Sequence, residues 1–480
     1  MLHVKFKLFF LLVACFLMSG CASVGEKYEK PKLPAAQVES WNGRLEGAIS
    51  SDDLDYEQLA HWWTTLGDDT LDSLIERAVK SNLDLRTADA QLKQARAQRN
   101  IAKSGHLPSV QADASIIQSQ PSGNVAKMAE TSTLYSTGLD ASWEIDVFGG
   151  VQARIDSATS DFQAAKEGQR DVLVTVLAEV ALNYVDLRTL QHRRSIAQGT
   201  LNAQKDYLEI IKAKEQEGAI TQFDVDQAQS NVEKIQSQIP AFDQQINQAQ
   251  NRLAMLLGLP PGAIDDELDQ KKYLPVPSVR VAVGVPAQVL RRRPDVRKAE
   301  RKLAAETYRV GVAQAELYPK FTLSGTIGLE SLSPSSLFNA DSMTFGLGPG
   351  VKWNLFAGGR IRQEIEVQNA VQEQALIQYE RTILTALEDV ENAITAYAQE
   401  QLRHHSLKAA SQSASRAAKL AASRYEAGDT DYLNVLDAQR TLLGTEEQQA
   451  ISEGQIASNL IRLYKSLGGG WTPEAPETEK

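Results

Sequence analysis

Cysteine is nearly absent: the 480 residues hold two, Cys15 and Cys21, both near the N-terminus. Beyond residue 21 no disulfide or thiolate metal site can form, so stability must come from packing. Long apolar runs are also lacking. After residue 20 no stretch approaches the ~20 residues of a transmembrane helix, so a membrane crossing would need strands closed into a barrel. Basic excess is missing too: the formal charge is -11, which disfavours nucleic-acid binding. No G-x-S-x-G, P-loop or H-E-x-x-H occurs. His3, His61, His106, His192, His404 and His405 lack metal-site spacing, and the adjacent pair His404–His405 points two ways on a helix. We expect no catalytic residue, no metal and no cofactor beyond a covalent lipid. Finally, proline is absent from 151–217 and from 360–427, and the second run also lacks glycine. Runs of 67 and 68 residues would span roughly 100 Å as helices, which suits a coiled-coil-like assembly better than a globule.

What is present begins with an export leader at 1–20: basic Lys5 and Lys7, an apolar run from Leu8 to Leu17, then Met18-Ser19-Gly20 before Cys21. A leader ending at a cysteine resembles the bacterial lipobox, in which Cys21 would be acylated and become the first residue. Losing the two leader lysines takes the formal charge to -13. Residues 21–68 are then expected to form an N-terminal, lipid-anchored extension and, as the resemblance given below implies, an equatorial segment.

The rest says one thing twice. "ASWEIDVFGG" at 141–150 is answered by "VKWNLFAGG" at 351–359, and aligning Trp143 with Trp353 sets an offset of 210 residues. That offset carries Gly218 to Gly428 and Leu257-Gly258 to Leu467-Gly468; upstream it becomes 211, taking Leu107-Pro108 to Tyr318-Pro319. Two tandem repeats, 69–260 and 282–468, are therefore expected, joined by a linker at 261–281 and followed by a tail at 469–480. Each repeat reads as a helix, two strands and two long helices. Strands are expected at about 107–120 and 133–148, then 317–330 and 342–356. Long helices are expected at 150–217 and 221–257, then 359–427 and 431–467, with a kink at Pro240. The strands alternate. Tyr135, Leu139, Trp143, Ile145 and Val147 oppose Asp140, Glu144 and Asp146, and Phe345, Leu347, Val351, Trp353 and Leu355 oppose Lys352 and Asn354. The helices carry a shared heptad seam: Leu173, Leu177, Val180, Tyr184 and Leu187 return as Ile383, Leu387, Val390, Ile394 and Tyr397. Four strands cannot close a barrel, for which about eight is the minimum, so copies of the chain must pool theirs. Gly149-Gly150 and Gly358-Gly359 sit where each strand would bend into its long helix. Trp143 and Trp353 fit a membrane-interface belt.

These residues carry a likeness. "WWTTLGDDTLDSLIERAVKSNLDLRTADAQLKQARA" from Trp62, "LRRRPDVRKAERKLAAE" from Leu290 and "RYEAGDTDYLNVLDAQRTLL" from Arg424 resemble motifs of the TolC-like outer-membrane efflux family, in its lipidated OprM/NodT-like branch. The resemblance covers essentially the whole chain after the leader. It implies an α+β membrane protein: a homotrimer whose 12-stranded β-barrel, four strands per chain, continues into a long periplasmic α-helical barrel. It further implies the exit duct of a tripartite efflux system in the outer membrane, working with a periplasmic adaptor and an inner-membrane RND-type transporter. Two alternatives are a structural coiled-coil lipoprotein that forms no pore and the duct of a type I secretion system.

At the tips, Gly218 and Gly428 each follow a long helix, as a helix-ending glycine should. Asp224, Asp226, Asp429, Asp431 and Asp437 cluster around them. Two readings fit: a gate, in which repeated carboxylates meet near a threefold axis, or ordinary capping and turn chemistry. The resemblance adds Arg424 and Tyr425 as residues that hold such a tip closed.

Labelled palmitate is expected to enter the protein and to be lost in Cys21→Ala. An unlabelled but normally processed wild type would rule the anchor out.

Overall fold

The structure, a computed structural model, describes residues 24–33, 36, 38–42, 49–50, 52–53, 55–122, 124, 130–269 and 281–472. Cys21, the leader at 1–20, the linker residues 270–280 and the end of the tail lie outside the described residues. In chain order the elements are β1 (Ile49–Ser50), α1 (Tyr56–Ala60), α2 (Asp69–Ser81), α3 (Leu83–Ser104), β2 (Ser109–Ser119) and β3 (Ser132–Ile145). There follow α4 (Gly150–Gln216), α5 (Gln222–Gln236), α6 (Gln238–Leu256), α7 (Asp265–Leu268) and β4 (Val281–Ala282). The second half runs α8 (Pro286–Arg292), α9 (Pro294–Ala315), β5 (Lys320–Ser331), β6 (Met343–Lys352), α10 (Arg360–Glu426) and α11 (Tyr432–Ser466). Both α4 and α10 contain 67 residues and start 210 positions apart. Among the described residues no helix is long and apolar enough to cross a membrane.

The chain divides into two compact units. The first draws on the described parts of Met1–Pro31, Gln91–Lys166 and Lys298–Tyr379, and it holds an antiparallel sheet in the order β2-β3-β5-β6. Residues directly opposite in such ladders share a face. One face gathers Val110, Ala112, Leu139, Ala141, Trp143, Leu323, Ile327, Phe345, Leu347 and Val351; the other gathers Asp113, Asp140, Ser142, Ser324 and Thr326. In the single chain the apolar face lies open: Phe345 is 80% exposed and Leu347 78%. Gly138 and Gly328 pair where β3 meets β5, and a Cβ on Gly328 would stand 2.8 Å from the Thr137 carbonyl oxygen.

Three strand ends differ from expectation by three residues or more, the first being the start of β5, at Lys320 rather than 317. β3 stops at Ile145 rather than 148, because the Asp146 carboxylate turns away to accept from the Gln152 amide at 2.7 Å and cap α4. β6 stops at Lys352 rather than 356, so Trp353 and Leu355 lie past it. Its neighbour among the described residues, β5, begins at Lys320 opposite Lys352, and Pro319 before it has no N–H to continue the ladder.

The second unit draws on Lys32–Ala90, Glu167–Arg297 and the described part of Glu380–Lys480. Its core brings together Leu71, Leu74 and Ile75 of α2, Leu253 and Leu256 of α6, Leu460, Ile461 and Leu463 of α11 and the heptad seam. Leu177, Val180, Tyr184 and Leu187 are buried, as are Ile383, Val390, Ile394 and Tyr397; Leu173 and Leu387 are partly covered. The expected continuous helix at 221–257 is instead two, broken at Ser237 rather than kinked at Pro240. Proline has no N–H for the Gln236 carbonyl, so the ladder fails one turn early and Pro240 falls in the first turn of α6. The extension and the linker meet in a parallel pair, Ile49 against Val281, beside which the Trp41 indole donates to the Gly284 carbonyl at 2.9 Å.

One joint is built twice with different chemistry. Between α2 and α3, Asn82 caps α3 by accepting from the amides of Asp84 and Leu85, and its Nδ2 donates to the Leu256 carbonyl at 2.8 Å. Between α8 and α9 the equivalent residue is Arg293. Its guanidinium donates to the carbonyls of Ser466 and Ala386 and to the carboxylates of Asp295 at 2.7 Å and Asp389 at 2.9 Å. Arg292 donates to the carbonyls of Gly468 and Trp471; burial pulls its guanidinium down to about 10, still charged at neutral pH.

Arg293→Ala should cost about 3 kcal/mol, because it strips the partner from two carboxylates at a buried joint. Asn82→Ala should cost about 1–2 kcal/mol through a lost cap and one unmet carbonyl. Thermal unfolding in detergent, followed by circular dichroism, measures both; equal losses would contradict the account.

Candidate functional site

Both long helices end in the same turn. After α4 the Gly218 amide donates to the Glu215 carbonyl at 2.8 Å and the Ala219 amide to Lys214 at 2.9 Å. After α10 the Gly428 amide donates to Tyr425 at 3.1 Å and the Asp429 amide to Arg424 at 2.8 Å. Gly218 and Gly428 sit at φ 70° and 81°, the left-handed region that closes such a turn and that side chains resist.

The return helices start differently. At α5 the Asp224 carboxylate accepts from both the Thr221 amide at 3.0 Å and its hydroxyl at 2.9 Å, forming a capping box. Asp226 accepts from the Gln222 side chain at 3.0 Å. At α11 the N-cap is Asp431, whose side chain makes no capping bond. Within the chain, then, Asp224 and Asp226 have local work. Arg424, Asp429 and Asp431 are exposed, and among the described residues their side chains have no hydrogen-bond or ion-pair partner.

Tyr425 is placed otherwise. It is buried in a small tip core with Leu208, Ile211, Val232, Ile235, Tyr432, Val435 and Leu436. Its ring lies 5.9 Å from that of Tyr432, and the Lys214 ammonium sits 4.0 Å above it. Neither Tyr425 nor Tyr432 finds a partner for its buried hydroxyl. Burial pushes the Tyr432 phenol up to about 12 and raises that of Tyr425, the Asp224 carboxylate adding to the latter. Both stay neutral at physiological pH, leaving carboxylates, Arg424, Arg440 and the lysines at the end of α4 as the charges of the tip. The sequence pattern did not single out Phe223 and Leu433. They are 66% and 52% exposed and lie 210 positions apart, just inside the two return helices.

At the other end of the long helices the strand exits match as well. Trp143 donates from its indole Nε1 to the His106 carbonyl at 3.0 Å, and Trp353 does the same to Leu317 at 3.0 Å. Gly149 has φ 81°, Gly358 58° and Gly359 85°. Gly150 begins α4, where a Cβ would meet that of Ala315 at 2.9 Å.

A family model described as "Outer membrane efflux protein" matches residues 74–259 and again 285–469. The chain belongs to the outer-membrane efflux protein family. It is 31% identical over 464 residues to nodulation protein T of Rhizobium leguminosarum bv. trifolii, covering 96% of each chain. To the pyoverdine export outer membrane protein OpmQ of Pseudomonas putida it is 36% identical over 423 residues, 86% of this chain and 89% of that one. Among solved structures, the outer-membrane channel OprN superposes with a TM-score of 0.87 at 33% identity, over 94% of this chain and 100% of that one. The open state of the Neisseria gonorrhoeae MtrE channel gives 0.78 at 25% identity, over 93% and 98%. Family members are outer-membrane channels, and the paired strand exits and paired tips described above mark the two ends of each long helix in this one.

Asp224→Ala should cost the start of α5 about 1 kcal/mol and speed hydrogen exchange there. Asp431→Ala should leave the start of α11 unchanged. If both helices fray alike, the asymmetry of the caps is wrong.

Proposed function

We propose that the chain is the exit duct of a tripartite efflux system, three copies pooling their strands into a 12-stranded barrel in the outer membrane. The observation that carries this is the four-stranded sheet: apolar on one face, polar on the other, with both outer edges unpaired. Unpaired edges are not tolerated in hydrocarbon, and four strands are too few to close alone. Acylation of Cys21 fixes each copy to the same leaflet, and the tips of α4 and α10 face the periplasm. There a periplasmic adaptor, linked to an inner-membrane RND-type transporter, is the partner. Phe223 and Leu433 give it a small apolar foothold on an otherwise charged tip. Cargo is not fixed by this reading. Relatives at similar identity are named for pyoverdine export, toluene efflux and cation efflux.

The resting tip is closed by Arg424, Asp429 and Asp431, whose side chains lack partners among the described residues and find them in the neighbouring copy. Tyr425 supports the closure from within the tip core, where its buried hydroxyl has no bond among the described residues. Asp224 and Asp226 support the tip by capping α5 and stand one step back from the gate. A few partly wet contacts suit a closure that an adaptor must undo.

Losing one such contact, worth about 1 kcal/mol, should shift the closed–open balance about fivefold. Arg424→Ala with Tyr425→Phe is therefore expected to raise conductance in planar bilayers and to admit vancomycin to cells. Divalent cations should block wild type more than a variant carrying Asp429→Asn and Asp431→Asn. A wild type and a gate variant that both conduct nothing would point to the non-pore lipoprotein, while a conducting wild type whose conductance and block are unchanged in the variants would place the gate elsewhere.

A further inference from the structure

The sheet leaves two ladders unpaired, the outer edge of β2 and the outer edge of β6. Each edge carries a charge set against a like charge of its own chain. Asp113 of β2 lies diagonally across from Asp140 on the same face. Lys352 of β6 stands directly opposite Lys320. Like charges facing across strands are destabilising. Lys320 has relief from Glu316 at 2.5 Å, whereas Lys352 has no ion-pair partner among the described residues.

The two halves of the sheet are one object repeated. β2 and β3 pair Ser109 with Ser142; β5 and β6 pair Lys320 with Lys352, displaced by 211 and 210 positions. The halves are joined through β3 and β5, which pair Ser142 with Ser324. Closure of the barrel asks for the same joint once more, with β6 in the place of β3 and β2 of the next copy in the place of β5. Under that substitution Ser142 becomes Lys352, and Ser324 becomes Asp113.

We infer that β6 of one copy pairs antiparallel with β2 of the next in the register that sets Lys352 opposite Asp113, forming an ion pair between copies on the polar face of the barrel wall. This rests on the trimer proposed above. The same register places Val351 opposite Ala114, Trp353 opposite Ala112 and Leu355 opposite Val110, all on the apolar face. A slip of one residue would turn that apolar row onto Asp113 and its polar neighbours. A slip of two would set Lys352 against Gln111 or Ser115 and leave both charges unmatched. The register also gives Trp353–Leu355 a partner, extending β6 to the length its alternation prescribes.

Cysteines at positions 113 and 352 test it in outer membranes. Opposed Cα atoms about 4.5–5.5 Å apart fall within the span of a disulfide, and diagonal neighbours at about 7–8 Å do not. Asp113→Cys with Lys352→Cys should give a reducible ladder up to trimer on oxidation, absent from either single variant. Gln111→Cys or Ser115→Cys combined with Lys352→Cys should link far less. A stable trimer, by light scattering, in which 113 and 352 fail to link or a neighbouring pair links better would overturn the register and spare the trimer. A folded, detergent-bound monomer would overturn both. For the charge pair itself, Asp113→Lys should lower the temperature at which SDS dissociates the trimer, and adding Lys352→Asp should restore it. No restoration, or no loss in the single variant, would sink the ion pair.

Discussion

Backbone amides and carbonyls cannot be left bare in hydrocarbon, and most of what this chain does with its strands follows from that. A four-stranded sheet with an apolar face settles the polar groups of its inner ladders and exposes two rows of them at its edges. In the trimer proposed above, closure by further copies answers the edges without any new element. Repetition within the chain then makes each joint a copy of a joint already built. The same economy shows at the strand exits, where two tryptophans 210 positions apart tie strand to preceding turn through the same indole-to-carbonyl bond.

The long helices are legible in sequence because little competes with them. With no proline for 67 residues and a seam stepping by four and three, the pattern leaves helix as the only arrangement that buries the seam. Strand identity is legible from alternation, but strand ends are not: alternation continues at Trp353 and Leu355, and a single chain has no neighbour to honour it. The break at Ser237 instead of Pro240 is equally hidden, since a proline marks the missing bond and not the residue where the ladder lets go. The small parallel pair of β1 and β4 joins segments more than 230 residues apart, each only two residues long, too short for any periodic signal.

The tip shows where residue type misleads. Five aspartates look alike in sequence, yet one is absorbed by a capping box, another by a glutamine, and a third, Asp431, occupies an N-cap without bonding to it. Tyr425, adjacent to an exposed arginine, is itself buried, because consecutive helical positions face different ways. Only the fold separates groups with local duties from groups still available.

The two versions of the inter-helix joint set the halves of the chain apart. Asn82 holds its joint with a neutral amide, indifferent to ionic strength and to pH. Arg293 holds the equivalent joint through two carboxylates, one of which, Asp389, is about half exposed and open to screening. Concentrated salt therefore weakens the joint at Arg293 more than the joint at Asn82. A chain that repeats its architecture does not repeat its weaknesses.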